Sequence, residues 1–133
     1  MIAAVSQAAP PRMVTVVVGA GPAGLWFCIL GRILAERAGL GDAWEVRLVD
    51  KRAAYARTHR LRVAESTVVA VANEVRDPRV DEVVAFLRST GFAPEVNRLE
   101  ERLAALAAEL GITKRICPVG AAGHETTLTG LRR

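Results

Sequence analysis

The run MVTVVV, Met13 to Val18, is apolar at nearly every position and rich in β-branched residues. Such a run predicts a strand buried on both faces, the kind found in parallel sheets. From Pro22 the period lengthens: Leu25, Trp26, Ile29, Leu30, Ile33 and Leu34 recur at helical spacing. Pro22 suits a first helical position, where no N–H is needed, and Gly39 or Gly41 supplies the stop. In WEVRLVD, Trp44 to Asp50, the alternation around Val46 and Leu48 predicts a second strand with an acid, Asp50, at its C-terminal end. Strand, helix and strand in this order make a βαβ unit, which requires a right-handed crossover.

Beyond Lys51 the pattern is mixed, and STVVAVA, Ser66 to Ala72, suits either a strand or the start of a helix. Asp77 before Pro78 opens a helix whose apolar face is Val80, Val83, Val84 and Leu87, ending at Gly91. Asn97 followed by Glu100 resembles a capping box, ahead of a stripe of Leu99, Leu103, Leu106 and Leu110 that runs up to Gly111. ITKRICPV then reads as a third strand. Residues 1 to 12 are expected to be a flexible leader, 13 to 118 one domain, and 119 to 133 a weakly ordered tail. No internal repeat interrupts this order.

Composition narrows the picture. At 133 residues, with 51% hydrophobic and 24% charged residues, the chain has one ordinary globular core. Of its 18 basic residues 16 are Arg, and the net charge of +4 suits an acidic partner such as a nucleotide. The arginines are scattered except between Arg47 and Arg62, where Tyr55 is the lone aromatic, so a nucleic-acid surface is not expected. Cys28 and Cys117 have no metal-type spacing, which points to a reduced, cytoplasmic setting. The apolar stretch from Met13 to Leu30 is broken at its middle by Gly19, Gly21, Pro22 and Gly24, so no membrane span is expected.

Those glycines carry the candidate chemistry. GAGPAG, Gly19, Ala20, Gly21, Pro22, Ala23 and Gly24, has the G-x-G-x-x-G spacing between a buried strand and an amphipathic helix, the context in which it seats a dinucleotide pyrophosphate. Gly19 makes the tight turn, Gly21 lets the backbone approach the phosphates, and Gly24 lets helix and strand pack closely. The helix N-terminus adds free N–H groups and a partial positive charge. Asp50, 26 residues after Gly24, is placed to accept from ribose hydroxyls and to repel a 2′-phosphate, which disfavours NADP there despite Lys51 and Arg52. The fold class expected is therefore α/β: a Rossmann-type, FAD/NAD(P)-binding βαβ unit with a parallel sheet, incomplete.

VVVGAGPAGL, with VRLVDKR and then YARTHRLRV, resembles the N-terminal FAD-binding part of the FAD-dependent monooxygenases, hydroxylase-like flavoproteins that include the flavin domain of the MICAL proteins. The likeness spans roughly residues 13 to 112, because NRLEERLAALAAELGI is similar to the helix leading into that family's third strand. It implies that FAD is the cofactor and that Arg52 lies near the adenosine or pyrophosphate. It also implies that Arg57 or Arg60 reaches the phosphates or the flavin side. NAD(P)H is the implied reductant, the reduced flavin then reacting with oxygen to hydroxylate a substrate.

The family's later Asp-Gly and Gly-Asp segments and its substrate-covering sheet have no counterpart here. Paired carboxylates, a Ser-His-Asp set and a metal cluster are also missing, so no catalytic residue is assigned. The expectation is an N-terminal portion that holds the cofactor through its ADP half, with association possible through the incomplete domain edge. Two alternatives stand beside it: another flavoprotein reductase or NAD-dependent dehydrogenase sharing the first βαβ unit, and a non-catalytic nucleotide-binding module.

Overall fold

A computed structural model describes residues 12 to 117. The expected tail, the outer end of the expected domain at Pro118 and the leader apart from Arg12 lie outside the described residues. The elements follow as β1 (Met13–Val18), α1 (Pro22–Arg37), β2 (Trp44–Asp50), α2 (Glu65–Val75), α3 (Pro78–Ser89), α4 (Val96–Glu109) and β3 (Lys114–Ile116). The strands form a parallel sheet in the order β1-β2-β3, with Val18 opposite Val49 and Asp50 opposite Ile116. Because all three run the same way, their C-terminal ends share one edge. The architecture is a mixed α/β unit in which α1 links β1 to β2, and α2, α3 and α4 link β2 to β3.

One buried cluster holds the layers together. Leu25, Cys28, Ile29 and Ile33 of α1 join Leu48 of β2, the Val80–Leu87 face of α3 and the Leu99–Leu106 stripe of α4. Cys28, not Leu34, completes the buried face of α1, and Leu34 is 50% exposed. The Trp44 ring lies over Gly31, where a Cβ would come within 2.4 Å of it. Trp44 Nε1 also donates to Thr15 Oγ1 at 2.8 Å, tying the two strands below the helix. Gly39, with φ of +72°, ends the helix turn, which decides between the two expected stops.

Two expectations are corrected and one open alternative is decided. Val14 and Val18 are 44% and 80% exposed, so among the described residues β1 is not buried on both faces. Val17, Val46 and Leu48 face the core, whereas of the alternate positions Val14, Val18 and Arg47 are exposed and Val16 and Val49 half-buried. A β-branched run satisfies the pleat whether one face or two are covered, so composition alone did not distinguish the cases. The ambiguous STVVAVA lies in a helix, because burial of Val68, Ala72 and Val75 outweighs the small cost of β-branched residues there. The capping box is absent: Glu95 is the N-cap of α4, and Glu100 lies on its buried face.

The expected start at Asp77 is observed, and its carboxylate does more than cap α3. It accepts from the Arg79 N–H at 2.8 Å and is paired with the Arg79 and Arg37 guanidinia. Arg37, at the end of α1, also donates to the carbonyls of Val75 and Arg76, which clamps α1 to the α2–α3 junction. The Arg79 hydrogen bonds hold the buried Asp77 carboxyl down at about 2, against an ordinary 3.8. A depressed folded value gives stability that is present above pH 3.8 and lost as pH falls through about 2. Asp77→Ala is expected to cost about 1 to 2 kcal/mol at neutral pH and almost nothing near pH 2. Urea midpoints for both proteins at several pH values test this, and a constant gap down to pH 2 would contradict it.

Candidate functional site

Parallel pairing brings the turn after β1 against the end of β2. Gly19 has a φ of +106°, open to glycine, and its N–H donates to the Val49 carbonyl at 2.7 Å. The next N–H, on buried Ala20, donates to Asp50 Oδ2 at 3.0 Å, and the Arg52 N–H donates to Asp50 Oδ1 at 3.1 Å. Burial pushes the Asp50 carboxyl up, but these N–H groups and the Arg52 guanidinium outweigh it and leave the acid below its ordinary range. Asp50 is thus an anion that locks the glycine turn to β2.

The glycines separate by role. A Cβ on Gly24 would stand 2.0 Å from the Gly19 carbonyl oxygen and 3.4 Å from Val17 Cγ1, so helix and strand meet there at a distance that excludes any side chain. At Gly21, the N-cap of α1, a Cβ would meet only Glu100 Oε1, at 3.9 Å. The space before Gly21 is open, and no side chain caps the helix. Leu25 is the first N–H of α1 to donate backward, to the Gly21 carbonyl at 3.0 Å. The N–H groups of Ala23 and Gly24 therefore point out of a helix end that has no acid in its first turn, an arrangement suited to an anion.

The basic segment after β2 is folded back over α4. Backbone bonds join Asn97 to Arg57, Val96 to His59, Leu61 to Pro94 and Val63 to Phe92, so residues 57 to 63 run antiparallel to residues 92 to 97. This strap distinguishes the expected arginines. The Arg60 guanidinium donates to the Ala93 carbonyl at 3.1 Å, whereas Arg57 is exposed and, with Arg52, adds positive charge that favours the ionised form of Glu100. Lys51 is exposed beside Asp50. Arg52 is half-buried, 3.8 Å from Asp50 Oδ1, and its Nε has no hydrogen-bond partner among the described residues.

Glu100 is the residue sequence reasoning missed. It is fully buried, and neither carboxyl oxygen has a hydrogen-bond partner among the described residues. Desolvation pushes its carboxyl up, against the pull of Arg52 and Arg57. The signal was present: Val96, Leu99, Glu100, Leu103 and Ala107 fall at the spacing of one helix face, which makes Glu100 an acid in a core stripe.

On the other side of the first turn of α1, Pro22, Ala23, Trp26, Leu61, Leu99 and Leu103 line an apolar groove of about 330 Å³. Among the described residues no helix is long and apolar enough to cross a membrane, and no cluster of His, Cys, Asp and Glu is placed to hold a metal. Cys28 and Cys117 are free thiols. No family model matches the chain, and no curated protein matches it.

Proposed function

We propose that the chain is the FAD-binding unit of a flavin-dependent, monooxygenase-like oxidoreductase, built on a Rossmann-type βαβ unit. The observation that carries the reading is the contact of Gly24 with the Gly19 carbonyl, because it sets an uncapped helix end beside an open turn. In this reading the N–H groups of Ala23 and Gly24 hold the diphosphate, and Arg52 adds charge from the β2 side. Asp50 accepts from the adenosine ribose, and Arg57 is taken over Arg60 as the further cation because the Arg60 guanidinium is engaged by the Ala93 carbonyl. The choice of flavin over another dinucleotide rests on the resemblance of the Asp50–Lys51–Arg52 and RTHRLRV segments. When bound, the flavin supplies the redox chemistry, accepting hydride from NAD(P)H and passing electrons to oxygen.

The reading is tested by calorimetric titration of the full chain with FAD and with ADP. Saturable one-site binding of both, within about tenfold of each other, is expected if the ADP half provides the contacts. Binding of neither would defeat the reading. Asp50→Ala is expected to weaken ADP by about 1 to 3 kcal/mol, the cost of removing an acceptor for the ribose. An unchanged ADP affinity in a folded Asp50→Ala protein would leave Asp50 with its structural bonds to Ala20 and Arg52 alone. The outer edge of β1 and its exposed Met13, Val14 and Val18 support association of the isolated chain, read as a concentration-dependent mass in sedimentation.

A further inference from the structure

Resting on the proposed dinucleotide site, we propose that Glu100 is a proton-dependent gate on it: the neutral carboxylic acid donates a hydrogen bond to the ligand's diphosphate, and the ionised carboxylate repels it. The geometry is specific. Glu100 Oε1 lies 3.9 Å from the point where a Gly21 side chain would begin, the space the proposed diphosphate would occupy at the end of α1. The residue is fully buried, so water does not screen it, and both oxygens lack partners within the described residues. A buried carboxyl left unsatisfied is costly, and a ligand oxygen that accepts from it removes that cost.

The surroundings make the two protonation states differ in outcome. Asp50, at the end of β2, is held ionised and disfavours a second negative charge nearby. The positive charge of Arg52, Arg57 and His59, from the segment after β2, favours the ionised form of Glu100. The first turn of α1 brings no acid, and α3 turns apolar Val83 and Leu87 toward α4. Burial raises the Glu100 carboxyl above the ordinary 4.5 against those cations. An anionic ligand that needs the neutral acid gives up affinity as pH rises through this folded value, by up to about tenfold per pH unit. Its diphosphate would also attract Arg52 and Arg57 away from Glu100, which deepens the preference for the neutral acid.

The experiment is FAD affinity of the full chain as a function of pH, for wild type and for Glu100→Gln, which keeps the shape and fixes the neutral state. The FAD diphosphate does not titrate between about pH 5 and about pH 8, so any slope belongs to the protein. Wild-type affinity is expected to fall as pH rises, with Glu100→Gln holding the tighter value throughout. Equal slopes in both proteins would overturn the proposal and assign the dependence to another group. Flat profiles in both, or loss of FAD binding in Glu100→Gln alone, would also overturn it. Absence of FAD binding to either protein at every pH would defeat the gate together with the dinucleotide reading. Thermal unfolding without ligand keeps the proposal falsifiable by a second route. A raised folded value gives stability that is complete below pH 4.5 and lost as pH rises, so the wild-type midpoint is expected to drop relative to Glu100→Gln toward neutral pH. A constant difference between the two melting curves would contradict a titrating Glu100.

Discussion

Gly24→Ala is expected to lower the stability of the fold by about 3 kcal/mol, a large effect for one methyl group. The added Cβ would lie 2.0 Å from the Gly19 carbonyl oxygen, a backbone atom that cannot rotate aside. Relief requires α1 to lift from β1, which opens the core at Leu25 and Cys28, both fully buried. Gly41→Ala is the matched control, since its Cβ would meet nothing closer than Glu36 Cγ at 3.7 Å. Urea denaturation is expected to show a lowered midpoint for Gly24→Ala and a change within about 0.5 kcal/mol for Gly41→Ala. Similar midpoints for the two variants would show that α1 does not pack on the turn as described.

Gly21→Val separates binding from folding. Gly21 has an ordinary φ of −76°, and a Cβ there meets only the Glu100 carboxyl at 3.9 Å. The fold is expected to bear the change at about 1 kcal/mol, the usual penalty for a poor N-cap. The valine methyl groups fill the space in front of the helix end, where the diphosphate is proposed to sit. FAD and ADP affinity is expected to fall at least about a hundredfold, which is about 2.7 kcal/mol. Circular dichroism and titration on one preparation check both halves. Full affinity in a folded Gly21→Val protein would move the ligand elsewhere.

Local signals carried much of this fold. The period change at Pro22, the alternation in WEVRLVD and the leucine stripe of α4 each depend on neighbours a few residues apart, and each element stands where its pattern predicts. What stayed hidden depends on distant partners. The pairing of residues 57 to 63 with residues 92 to 97 joins backbone groups 29 to 40 residues apart, and no side-chain pattern announces it. Without it Arg57 and Arg60 look alike, and only the fold brings the Arg60 guanidinium to the Ala93 carbonyl while Arg57 stays exposed.

Glu100 was misread for a related reason. Its spacing from Asn97 matches a capping box, but the box requires Asn97 as N-cap, and α4 starts at Val96 with Glu95 as N-cap. That two-residue shift takes Glu100 from the helix end to the buried face. In Asp50 the sequence showed an acid at a strand end but not its bonds to Ala20 and Arg52, which make it part of the turn as well as a candidate ribose contact.

The central claim, that the turn and the free end of α1 hold a diphosphate, is tested most directly by nuclear magnetic resonance of the backbone amides during ADP titration. The account predicts saturable shifts at Gly21, Ala23, Gly24 and Arg52, with Ala23 and Gly24 moving in the sense of N–H groups that gain an acceptor. Shifts that spare these amides, or that fall instead on Leu61, Leu99 and Leu103 around the apolar groove, would contradict it.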